Sequence, residues 1–121
     1  MNKTILLVDD SFSIRESVGF LLSEAGFKII KAGDGEEALK LFDGQKIDLL
    51  LTDLHMPKMN GIELIRNVRS MEDYKRLPIL LLTTETLNDK KLEAKNAGAT
   101  GWINKPFDKE KLFSIIKKVI R

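Results

Sequence analysis

Short runs rich in Ile, Leu and Val alternate with stretches of helical periodicity, and this alternation restricts the fold more than any other feature of the chain. The β-rich runs cover residues 4–8, 28–31, 47–52, 78–82 and 101–104. Between them, Ile14, Val18, Leu21, Leu22 and Ala25 share one helical face closed by Gly26. Leu112, Ile115, Ile116, Val119 and Ile120 share another. Strands alternating with helices imply right-handed βαβ units, and so a parallel sheet covered on both faces. Residues 5–8, 49–51 and 79–82 lack the in/out alternation of half-exposed strands, as buried central strands do. Asp34 with Glu37, and Asn60 with Glu63, have the spacing of capping boxes, and Asp108 is a natural N-cap for the last helix. The helix over residues 87–97 offers Leu92 and a few alanines among polar groups, which predicts weak packing and a capacity to move.

Composition narrows the chemistry. The 121 residues suit one domain over residues 1–121, long enough to bury roughly two-thirds of the unfolded surface. Cysteine is absent, which excludes a disulfide scaffold, a thiol nucleophile and thiolate metal sites, and a single histidine cannot build the usual zinc site. Apolar runs such as Ile5-Leu6-Leu7-Val8 fall far short of the roughly 20 residues that cross a bilayer. The first of them meets Asp9-Asp10 at once, unlike a signal peptide. The Asn2-Lys3-Thr4 sequon carries no meaning without secretion, and the cytoplasm is the expected compartment. Net charge is +2 but uneven: residues 1–87 hold 11 Lys/Arg against 14 Asp/Glu, and residues 88–121 hold 9 against 4. The basic segment reads as a solvated lysine-rich surface or as a face for an acidic partner. No aromatic-interleaved stripe points to nucleic acid.

The residues that end the apolar runs carry the functional signal. Asp9-Asp10 end the first run, Asp53 the third, Thr83 the fourth and Lys105 the fifth. In a parallel sheet these ends share one edge, where ligands bind. Each residue alone has an ordinary account as a cap, a strand residue or a loop lysine. Together they place three carboxylates, a hydroxyl and an ammonium at one rim. Clustered carboxylates repel, so some protonate or a cation joins them. With oxygen ligands only, the expected cation is Mg²⁺, which favours shells shared with phosphate. Phosphoryl transfer is the matching chemistry, and a carboxylate can itself be the nucleophile, forming an aspartyl phosphate.

Four segments in this order are highly specific: Val8-Asp9-Asp10-Ser11, the run from Thr52-Asp53 to Asn60-Gly61, Leu82-Thr83-Thr84-Glu85, and the run from Ala97-Gly98 to Lys105-Pro106-Phe107. Over essentially its whole length the chain resembles the receiver domains of two-component response regulators, in their CheY-like chemotaxis branch. The resemblance implies a flavodoxin-like (βα)5 sandwich with strand order 2-1-3-4-5. It implies that Asp53 is the phosphoacceptor, taking its phosphoryl group from a CheA-like histidine kinase. Asp10, Asp53 and the His55 backbone carbonyl would ligate Mg²⁺ directly, and Asp9 through water. Lys105 would hold a phosphoryl oxygen, with a cis Lys105–Pro106 bond. Thr83 would move toward the phosphoryl group and Trp102 turn inward, rearranging the face of the fourth helix, fifth strand and fifth helix. Partners would be a flagellar motor switch protein or another protein target, with a phosphatase also in view, and the chain would act as a monomer. His55 and Glu85 stand two positions beyond Asp53 and Thr83, where side chains tune access of water to the acyl phosphate. As a side chain, His55 otherwise reads as a solvated loop residue. Asn60 stands where the family usually has Asp, Trp102 where Tyr or Phe is common, and Asn104 where an apolar residue is usual.

Other readings compete. Gly33-Asp34-Gly35-Glu36-Glu37-Ala38 fits a dinucleotide fingerprint, but its acidic residues would repel a pyrophosphate, and turn glycines account for it better. A Mg²⁺-dependent phosphatase working through an aspartyl phosphate usually has an Asp-x-Asp motif, whereas Asp9 and Asp10 are adjacent. Among receivers, a phosphorelay intermediate or the receiver of a longer transcription factor are further possibilities. If the chain is complete at Arg121, output comes through protein contact.

Overall fold

The computed structural model describes residues 3–120, so Asn2 of the sequon lies outside the described residues. In chain order the elements are β1 (Thr4–Val8), α1 (Phe12–Glu24), β2 (Lys28–Ala32), α2 (Gly35–Leu41), β3 (Leu49–Thr52), α3 (Gly61–Arg69), β4 (Ile79–Thr83), α4 (Asn88–Ala97), β5 (Gly101–Asn104) and α5 (Lys109–Val119), with a 3₁₀ turn at Glu72–Tyr74. All neighbouring strands pair in parallel, in the order β2-β1-β3-β4-β5, which is the expected flavodoxin-like arrangement. No helix among the described residues is long and apolar enough to cross a membrane.

The continuous apolar runs are buried on both faces of the sheet. Leu6, Leu50, Ile79 and Leu81 pack with Ala38, Ile62, Leu64, Ile65 and Val68 on the α2–α3 side. Ile5, Leu7, Leu49, Leu51, Leu80 and Leu82 pack with Val18, Leu22, Leu112 and Ile116 on the α1–α5 side. Full burial of such a side chain is worth about 1.5–3 kcal/mol, so β1, β3 and β4 are the thermodynamic centre of the fold.

Local chemistry sets the ends. Ser11 caps α1 through the Ile14 N–H, and Asp108 caps α5 through the Lys111 N–H. Asn60 and Glu63 form the complete reciprocal capping box. The expected box at α2 is only half made: Asp34 accepts from Glu37 N–H at 2.8 Å, but the Glu37 carboxylate accepts from Gly33 N–H. Both N-cap residues are extended, but Asp34 has φ −158° where Asn60 has −79°. The third strand begins at Leu49 rather than Ile47; just ahead of it Asp48 meets β1 twice, its carboxylate accepting the Thr4 N–H at 2.7 Å and its own N–H donating to Thr4 O at 2.8 Å. The fourth begins at Ile79, since Pro78 has no N–H to give a ladder.

Helix α4 is weakly packed, as its composition predicts. Leu92 does not anchor it but lies 58 % exposed, and Ala94 is the buried contact. No side chain caps the N-terminus of α4. The helix leans on α3 through Glu93 with Arg66 at 3.5 Å, an exposed pair worth little. Its C-terminus is firmer. Gly98 ends it in the left-handed region (φ 115°), and Arg69 from α3 clamps the Gly98 carbonyl at 2.8 and 3.0 Å. Burial lowers the Arg69 pKa from its ordinary value, yet guanidinium stays charged in proteins.

Candidate functional site

The sheet ladder runs one residue past three strand ends and fixes the backbone of the candidate residues. Asp9 N–H donates to Ala32 O, Asp53 N–H to Val8 O, and Lys105 N–H to Thr83 O, at 3.2, 2.9 and 2.8 Å. Each side chain therefore leaves a rigid strand end, the arrangement expected at the carboxyl edge of a parallel sheet.

Lys105, 96 positions from Asp9 in sequence, reaches its Oδ2 at 2.9 Å and stands 3.7 Å from Asp53 Oδ2. The Asp9 side chain is 2 % exposed and those of Asp53 and Lys105 are 12 % and 15 %. The other Asp9 oxygen accepts from Ser11 N–H, and Asp53 Oδ1 accepts from Leu54 N–H at 2.7 Å. Asp53 Oδ2 is thus the oxygen turned to Lys105. Asp10 is exposed, and one oxygen from each of Asp9, Asp10 and Asp53 lies within 4.8 Å of the other two. A set of hard oxygen donors at this spacing fits a small divalent cation. Three carboxylates against one ammonium leave the cluster with formal charge −2, so Lys105 meets only part of the repulsion.

Thr83 is fully buried, and its hydroxyl accepts from Glu85 N–H at 3.2 Å. Thr83 pairs with Asn104 across the β4–β5 ladder, and Leu81 with Trp102. Trp102 is half-buried against the α3–α4 core, with Lys91 Nζ 5.6 Å from its ring centre. The Lys105–Pro106 bond is cis. His55 is not simply a solvated loop residue: its Nε2 meets Glu85 Oε1 at 2.8 Å, joining the loops after β3 and β4. The Glu85 carboxyl also accepts the Leu87 and Thr86 N–H groups at 3.0 Å. Its pKa is held below the ordinary carboxyl value, chiefly by the Leu87 bond, with His55 and Thr86 adding to the effect against desolvation.

Two supporting roles escaped the sequence reading. Arg15 Nη1 donates to the Asp9 carbonyl at 2.6 Å, pinning the loop that carries the acidic pair. Its only sequence signal is a basic residue in the first turn after Ser11. Gly61 lets α3 start against the end of β3: its N–H reaches Leu54 O at 2.8 Å, and a Cβ there would overlap the Asp53 carbonyl oxygen. In the Gly33–Gly35 segment, a Cβ on Gly35 would come 2.8 Å from Met59 Sδ. That glycine serves side-chain packing.

Among known proteins, residues 5–117 match the family described as the response regulator receiver domain. The chain belongs to this receiver family. The receiver is 40% identical over 116 residues to the chemotaxis protein CheY of Pseudomonas aeruginosa, covering 95% of this chain and 94% of the relative. The crystallised CheY4 of Vibrio cholerae superimposes with a TM-score of 0.95 at 43% identity, over 99% of this receiver and all of that chain. The receiver domain of a Pseudomonas aeruginosa sensor histidine kinase, described with a magnesium ion coordinated in its active-site cleft, superimposes with a TM-score of 0.90 at 27% identity, over 98% of each chain. The expected CheY-like receiver fold is therefore the observed one, and phosphorylation-based signalling, with histidine kinases as donors, is the business of the family.

Proposed function

We propose that this receiver is a stand-alone, single-domain, CheY-like response regulator that takes a phosphoryl group from a CheA-like histidine kinase onto Asp53. The single observation behind this reading is the convergence of Asp9, Asp10, Asp53 and Lys105 on one sheet edge. Asp53 Oδ1 is held by Leu54 N–H, which leaves Oδ2 as the nucleophile. Oδ2 forms the new O–P bond, the N–P bond to the donor imidazole breaks, and the nitrogen keeps the electron pair and later takes a proton. Lys105 already faces Oδ2 and would hold a phosphoryl oxygen as negative charge gathers there.

Asp10, Asp53 and the His55 carbonyl would hold Mg²⁺ directly, which when bound neutralises phosphoryl charge. Asp9, with both oxygens taken by Ser11 N–H and Lys105, suits an outer role through water. The magnesium coordinated in the related kinase receiver supports this assignment. Thr83 would exchange its Glu85 N–H partner for the phosphoryl group, and Trp102 would follow inward. His55 and Glu85, already joined across the site, would tune the entry of water. The output would be altered protein binding at the α4–β5–α5 face, with a flagellar motor switch protein as the chemotactic target, in the cytoplasm and as a monomer.

The test is Asp53→Ala beside the parent, each incubated with acetyl phosphate and Mg²⁺ and weighed by mass spectrometry. One phosphoryl group per parent chain, slowly lost, and almost none on the variant is the expected result. Equal labelling of both would refute the assignment of Asp53. Sustained turnover of small phosphate esters would favour a phosphatase.

A further inference from the structure

Two buried side-chain polar atoms among the described residues have no hydrogen-bond partner, the Trp102 indole Nε1 and the Asn104 amide Oδ1. One is a donor only and the other an acceptor. Residues two apart on a strand face the same side, so Trp102 and Asn104 share one face of β5. By the β4–β5 register that face is also Thr83's: Asn104 lies opposite Thr83 and Trp102 opposite Leu81. An unmet buried donor or acceptor carries its full desolvation penalty, so a rearrangement that joins the two relieves both at once.

The surroundings allow such a rearrangement. A groove of about 190 Å³ lies along Trp102, walled by Lys91, Ala94 and Lys95 of α4 and by Ala99. That wall is the thinly anchored helix, whose single buried residue is Ala94. Lys91, half-buried like the ring, meets it through a single cation–π contact at 5.6 Å.

We propose that Asn104 is the built-in acceptor for the Trp102 indole, and that the Nε1–H···Oδ1 bond forms when phosphorylation draws Thr83 away from its present place. This rests on the receiver switch proposed above and adds a residue to it. Asn104 is a positioning residue: it touches no reacting atom but fixes where the switched indole comes to rest. The unmet pair makes the resting arrangement easier to leave, and the new bond holds the activated one.

Trp102 is the only tryptophan, so its indole N–H gives one unambiguous nitrogen–proton signal. The experiment follows that signal in the whole chain with Mg²⁺, before and after beryllium fluoride, a phosphoryl mimic, in the parent, Asn104→Leu and Asn104→Asp. In the parent and Asn104→Asp, beryllium fluoride should move the indole proton downfield and slow its exchange with water about tenfold. In Asn104→Leu the backbone signals of Asp53 and Leu54 should still respond, while the indole stays unprotected. The same indole shift in Asn104→Leu would overturn the proposal, as would an indole already protected in the free parent. Beryllium fluoride leaving the parent's Asp53 and Leu54 signals unmoved would instead bring down the switch itself, and the pairing with it.

Discussion

One chemical change, glycine to alanine, should have opposite signs at Gly61 and Gly19. At Gly61 the new Cβ would overlap the Asp53 carbonyl oxygen and stand 3.0 Å from Leu54 Cα and 3.1 Å from Leu81 Cδ2. Two of these are backbone atoms leaving β3, whose four residues are all buried, so little there can yield. The Asp53 carbonyl is also engaged by the Thr52 hydroxyl at 3.0 Å. Overpacking of this kind costs about 1–3 kcal/mol, and a rigid contact belongs at the upper end. The alanine returns about 0.5–1 kcal/mol by restraining the unfolded chain, leaving a net loss of about 2 kcal/mol. At Gly19, within α1, the Cβ would meet Lys31 Cε at 2.9 Å, near the end of a flexible side chain that can swing aside. Alanine there should gain about 0.5–1 kcal/mol. Thermal unfolding followed by circular dichroism should put Gly61→Ala about 6–10 °C below the parent and Gly19→Ala a few degrees above it. Gly61→Ala melting with the parent would refute the close approach of α3 to β3, and with it the account of how Asp53 is held.

Three further outcomes follow from the geometry. Arg69→Met frees the carbonyls of Gly98, Tyr74 and Lys75 from a shared donor, and should cost about 2 kcal/mol by urea unfolding, with faster amide exchange at the end of α4. Lys105→Met takes the ammonium from Asp9 and Asp53, so the metal-free protein should lose about 2–3 kcal/mol and millimolar Mg²⁺ should raise the melting temperature more than in the parent. Glu85 has a folded-state pKa below its ordinary 4.5, so its stabilisation is present above that value and is lost as pH falls through the depressed one. Glu85→Gln should flatten that acid limb of an unfolding-versus-pH curve, and carbon NMR of the parent should show the Glu85 carboxyl titrating low.

What the sequence made legible was what depends on strand ends and periodicity. Asp9, Asp53 and Lys105 follow apolar runs, and a parallel sheet brings such ends together whatever the intervening helices do. The capping box at Asn60 was readable because it is local. What escaped depends on how separate loops and helices settle against one another. The His55–Glu85 contact joins residues 30 apart in two loops, and the Arg69 tether to Gly98 spans 29. The weak packing of α4 was readable from its composition, but not that the small Ala94 is its buried contact while Leu92 lies exposed. Glu37 takes the Gly33 N–H rather than that of Asp34, a choice that no spacing rule reports.

The sheet divides the interior into two compartments that do not share side chains. Trp102 lies in the compartment walled by α2, α3 and α4, and by strand register Thr83 and Asn104 face the same way, while Ile103 points into the α1–α5 one. The five-stranded partition therefore works as a bulkhead. In the proposed switch one hold would be re-stowed as its cargo changes while the other kept the vessel's trim, and one flank would alter without the whole being remade.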